Sequence, residues 1–117
     1  MSDVVQQIRF FRNRIPGFAC KPDCHDCCGP VTATSTEVQR LPPKSAAEHA
    51  AALEHLDCVY LGPQGCTVYA ERPLICRLFG TTPSLPCPHG LGPLQPTDPA
   101  VETALHQFQR QHRQVLL

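Results

Sequence analysis

Val4, Val5, Ile8, Phe11 and Ile15 recur at intervals of three and four, the spacing of one helical face, and predict an amphipathic helix over residues 2–15 with Ser2 as its N-cap. Pro16-Gly17 ends it. Val101, Ala104, Leu105, Phe108 and Val115 predict a second such helix over 99–116, capped by Asp98 with Pro99 in its first turn. Between them, two capping boxes announce shorter helices. Thr34-Ser-Thr-Glu37 opens one that runs through Val38 and Leu41 to Pro42-Pro43, and Ser45-Ala-Ala-Glu48 opens another that ends near Leu56. The apolar face of the latter, Ala50, Leu53 and Leu56, is thin, which places it on the outside of the core.

Cys58-Val-Tyr-Leu61 and Cys66-Thr-Val-Tyr69 are β-prone runs, and Gly62-Pro-Gln-Gly65 between them reads as a four-residue hairpin loop. Pro73 suits the first position of a short helix over Leu74 to Leu78, because its missing N–H would be unpaired there anyway. Residues 18–30 and 80–99 lack any period and are predicted to be irregular. The pattern predicts a single domain over 1–117 of small α+β class, mostly helical and irregular, with helices around a short β-hairpin. A core segment at 18–90 is flanked by the helices at 2–15 and 99–116.

Composition changes this picture in one respect. A chain of 117 residues with no Trp, 13 Pro and 7 Gly can build only a marginal apolar core, yet it carries eight cysteines. Something covalent or coordinate is expected to supplement the core. The charges balance, with ten Lys+Arg against ten Asp+Glu and no long run of either sign, so the footprint of a nucleic-acid binder is missing. No stretch is apolar enough for a signal peptide or a membrane span. A soluble, cytoplasmic protein is expected, in which thiols stay reduced and metal ligation is favoured over disulfides.

Cys20-x3-Cys24-x2-Cys27-Cys28 is the strongest chemical signal. A two-residue gap lets two thiolates converge on one metal while intervening backbone N–H groups donate to sulfur. Cys24 and Cys27 meet that condition. The side chains of Cys27 and Cys28, being adjacent, tend to point apart, which hints at two sites, a bridging thiolate or a cluster. Cys58, Cys66 and Cys76 form the second half of the constellation, and a metal joining the two halves would crosslink the domain and be part of its folding energy.

The run Phe18-x-Cys20-x3-Cys24-x2-Cys27-Cys28, followed by Glu37, Cys58-x2-Leu61 and Gly65-Cys66-x2-Tyr69-x2-Arg72-Pro73-x2-Cys76-Arg77-x-Phe79-Gly80, resembles the YkgJ-like CxxCxxCC cysteine-cluster family over about residues 18–90. The resemblance implies chelation of zinc or iron, with an iron–sulfur cluster included, and no settled enzymatic activity. Cys87-Pro-His-Gly90 resembles one branch of that family, which makes Cys87 the weakest of the eight ligand candidates. Arg72 and Arg77 match the family's Arg-Pro-x-x-Cys-Arg motif. They could offset the negative charge of a thiolate-rich centre, or else cap carbonyls and pair with carboxylates.

Tyr69 reads as a core residue with a satisfied hydroxyl. His25 and His89, beside cysteines, are secondary ligand candidates, whereas His49, His55, His106 and His112 fall on helix surfaces. The plausible acids and bases are read on polar helix faces, and neither a Ser/His/Asp order nor a Gly-rich phosphate loop is present. A non-enzymatic metal-binding module is the leading reading, with a metal ion as partner, no nucleic acid, no membrane and an unknown protein partner. An iron–sulfur electron-transfer or accessory protein is the second. A metal-dependent domain of a group-transfer enzyme is the third and would need a partner chain.

Overall fold

A computed structural model describes residues 3–19 and 29–117. Helix α1 spans Asp3–Arg14 and ends before Pro16-Gly17, as its pattern predicts. Its buried face is Ile8 and Phe11. These pack with Leu74 and Leu78 of α4 (Leu74–Leu78) and with Leu105 and Phe108 of α5 (Pro99–Gln111) into one apolar cluster. The rings of Phe11 and Phe108 lie 5.5 Å apart, a tilted contact of the kind that adds to simple burial. The Asp98 side chain accepts from the Ala100 N–H and caps α5 as expected.

A second cluster gathers Ala33, Leu41, Val59, Tyr60 and Leu117. It is built on a pairing that the hydrophobic pattern missed. Strand β1 (Thr32–Thr34) pairs antiparallel with a C-terminal strand (Gln114–Leu116, β4 in chain order), with Ala33 opposite Val115. The predicted helix over 99–116 therefore stops at Gln111, where His112 turns extended. Two gains favour the turn. The strand supplies partners for backbone groups of residues 31–34 that the helix could not reach, including a 2.8 Å bond from the Leu117 N–H to the Val31 carbonyl, and it buries Leu117. The Gln114 amide also donates to the carbonyls of Gln109 and His112, closing the end of α5.

Both capping boxes form, at Thr34 and Glu37 for α2 (Ser35–Val38) and at Ser45 and Glu48 for α3 (Ala46–Glu54). Helix α3 lies on the outside of the core as predicted, but the expected face is not the one that packs: Ala50, Leu53 and Leu56 are exposed and Ala52 meets the second cluster instead. Its end is a Schellman motif, with the Asp57 N–H bonded to the Ala52 carbonyl and the Leu56 N–H to that of Leu53. Leu56 holds the left-handed position at φ 55° while largely exposed. Leu56→Gly is accordingly expected to raise stability by about 1 kcal/mol in denaturant unfolding, because the strain falls on a Cβ that packs against little.

The hairpin is shorter than its sequence suggests. Strands β2 (Leu61–Gly62) and β3 (Gly65–Cys66) pair Gly62 with Gly65, so only Pro63 and Gln64 form the turn, and Cys66 ends its strand rather than beginning it. Gly65, the residue after the turn, takes a positive φ of 110°, a conformation that other residues resist. A 3₁₀ turn over Tyr69–Glu71 leads into α4. The proline-rich stretch after α4 is irregular but anchored. Thr97 bonds to Thr81 through both N–H and hydroxyl, and Ser84 donates to Glu102 of α5 at 2.6 Å.

Candidate metal centre

The two clusters leave a cavity of about 130 Å³ between the hairpin, α4 and the proline-rich stretch. Four cysteines line it: Cys58 before β2, Cys66 at the end of β3, Cys76 on α4 and Cys87 in the proline-rich stretch. All four are partly buried and none is in a disulfide. Much of the wall is apolar, including Phe18, Val31, Val68, Phe79 and Leu117. Phe18 and Gly29, also on the wall, are the last described positions but one before and the first after residues 20–28. Cys20, Cys24, Cys27, Cys28 and His25 lie outside the described residues.

The sulfurs of Cys58 and Cys87 are held by backbone donors. The Tyr60 N–H donates to Cys58 Sγ at 3.5 Å, and the His89 N–H donates to Cys87 Sγ at 3.4 Å. Both are bonds from residue i+2, the geometry in which a metal-binding turn supports its thiolate. Cys87, the weakest candidate by sequence, is thus placed and supported like Cys58. Burial pushes the Cys58 thiol above its usual range; the Tyr60 N–H opposes the shift, and the neighbouring Cys66 and Asp57 add to it. Cys58 and Cys66 share the wall of the cavity.

Arg72 and Arg77 line the same cavity, yet their hydrogen bonds go to carbonyls. Arg72 Nη1 donates to the Tyr69 carbonyl at 2.9 Å. Arg77 donates through Nε to the Arg72 carbonyl at 3.1 Å and through Nη2 to that of Ala70 at 2.8 Å. The sequence did not indicate Arg12, which reaches the same Ala70 carbonyl at 3.0 Å and pairs with Glu71. Burial, then the like charges of Arg12 and Arg72, lower Arg77 to about 10. Tyr69 is not a core residue: it is 52% exposed, with the Arg72 guanidinium 4.0 Å above its ring. Cys76 and His89 take part in contacts beyond those described.

The donor chemistry suits a soft, thiolate-held ion such as zinc or iron. Among the described residues, no three His, Cys, Asp or Glu side chains gather closely enough to hold a metal by themselves. The four cysteines share a wall rather than a finished coordination sphere. A match to the family model described as CxxCxxCC, putative zinc- or iron-chelating domain, covers residues 19–110. The chain belongs to this family. The match extends past Cys87 into α5, so it takes in all eight cysteines and both arginines. No curated protein and no solved structure matches the chain significantly. Among the described residues, no helix is long and apolar enough to cross a membrane.

Proposed function

We propose that this protein is a non-enzymatic metal chelator whose zinc or iron centre is held by cysteine thiolates and locks the domain together. The observation that carries this reading is the convergence of Cys58, Cys66, Cys76 and Cys87, from separate stretches of chain, on one cavity bordered by both flanks of residues 20–28. Cys28 adjoins Gly29, and Cys20 lies two residues beyond Phe18. The first loop would supply the thiolates that the described set lacks. A metal there would draw electron density from the sulfurs and bridge segments that the two small clusters join weakly, contributing on the order of 10 kcal/mol to folding.

Arg72 and Arg77 would set a positive field beside a centre whose thiolates outnumber the charge of one divalent ion. A cytoplasmic setting, with its reduced thiols, suits the four cysteines that stand without disulfides. Elemental analysis and a visible spectrum of anaerobically purified protein test the proposal. About one or more equivalents of zinc or iron per chain is the expected result, and a folded protein with less than about 0.2 equivalents overturns it. A colourless zinc protein would favour a structural centre, whereas a brown protein that becomes paramagnetic on reduction would favour the iron–sulfur reading.

A further inference from the structure

Glu37 is the one buried carboxylate among the described residues, 5% exposed, and the chelating reading leaves it without a task. Acids and bases are therefore not confined to polar helix faces, as the sequence suggested. Its Oε1 accepts from the Thr34 N–H at 3.2 Å and from Thr34 Oγ1 at 2.9 Å, which completes the capping box of α2. The capping box needs only that oxygen. Oε2 accepts a 2.6 Å bond from the Leu74 N–H, 37 residues further along the chain.

Leu74 is the first residue of α4 and is fully buried, so water cannot serve its N–H. Pro73 stands at the N-cap and has no side-chain acceptor to offer. Glu37 therefore supplies from a distance the cap that the local sequence lacks. A helix of five residues cannot hold its own geometry. Its orientation rests on that bond, on the packing of Leu74 and Leu78 and on the Arg77 bonds to the Arg72 and Ala70 carbonyls, and Cys76 lines the cavity from the same turn.

We propose that Glu37 is a positioning residue for the metal centre, its carboxylate spanning Thr34 and Leu74 so that α4 holds Cys76 at the cavity. This inference rests on the chelating reading above. Glutamine tests it at constant shape, because its amide offers one oxygen: if that oxygen serves Leu74, the NH₂ group faces the Thr34 N–H, and the reverse placement abandons α4. Aspartate keeps the charge and falls a methylene short.

The experiment loads wild type, E37Q, E37D and T34V with Co(II), measures affinity by competition with a chromophoric chelator, and records the thiolate-to-cobalt bands. L41A, in the second cluster, serves as a control for lost stability. E37Q and E37D are expected to weaken cobalt binding by about 10- to 100-fold and to alter the bands, the range usual for groups that orient metal ligands. T34V and L41A should keep the wild-type bands. Wild-type affinity and bands in E37Q overturn the inference, as does an equal loss of affinity in L41A at matched stability. If E37Q folds too poorly to load, the same two criteria are applied to E37D. A folded wild type that takes up no cobalt, zinc or iron overturns the chelating reading itself, which separates that failure from one confined to Glu37.

Discussion

Stripping the metal from the folded protein is expected to abolish the order of residues 58–66 and 76–88 while leaving α1 and α5 in contact to the last. The two apolar clusters predict this sequence of loss. Ile8, Phe11, Leu105 and Phe108 bury one another between α1 and α5, and the strand pairing of β1 with β4 adds backbone bonds of its own. The hairpin has two residues per strand, far below what stands alone in water. Cys76 shares α4 with Leu74 and Leu78, so a metal held by Cys76 would pull on the same short helix as the first cluster. Hydrogen exchange with and without chelator should show protection falling first at the hairpin and the proline-rich stretch. Uniform protection in the chelated protein would mean that the centre is peripheral.

Single Ser replacements extend the same expectation. Cys66→Ser and Cys76→Ser should each lower metal retention by orders of magnitude, because a protonated hydroxyl replaces a soft thiolate. Cys87→Ser now joins Cys58→Ser in severity. Both sulfurs line the cavity and both accept an N–H from the second residue onward. Metal per protein across the four variants measures the ranking. Full metal content in Cys87→Ser would return that residue to the marginal place its sequence context suggests.

Much of this architecture was legible because it is local. Helices α1, α3 and α5 follow from periodicity and caps, and α4 follows from Pro73 before a short apolar run; those signals lie within a few residues of the elements they specify. The pairing of β1 with β4 joins positions eighty or more residues apart and leaves only a weak trace, the largely β-branched Val31-Thr-Ala-Thr34 run, which the capping box at Thr34 masks. Cys87 was undervalued for a similar reason. Nothing in Pro86-Cys-Pro-His89 reveals that Thr81, Thr97 and Ser84 fasten the surrounding loop to α5, or that a backbone N–H faces the sulfur. Glu37 was seen as half of a capping box, and its second oxygen is visible only once α4 is in place.

Gly80→Ala is expected to be among the most damaging substitutions of a small residue in the chain, and to act on the metal centre without touching a sulfur. Gly80 follows α4 with φ 81°, a conformation that costs any other residue about 1–2 kcal/mol. A Cβ there would collide with the ring of Phe18 and lie 3.5 Å from Cys87 Cβ. Phe18 and Cys87 both line the cavity, so a displaced ring disturbs the cavity wall and the seat of Cys87 together. Gly90 provides the comparison. It also has positive φ, 71°, but an added Cβ meets nothing within 4 Å, so Gly90→Ala incurs the backbone cost alone. Gly80→Ala should therefore lose about 2–4 kcal/mol of stability and much of its metal. Gly90→Ala should lose about 1 kcal/mol and keep its metal. Urea unfolding with elemental analysis of both variants decides the matter, and equal metal content in the two would show that Phe18 does not hold the approach to the cysteine cavity.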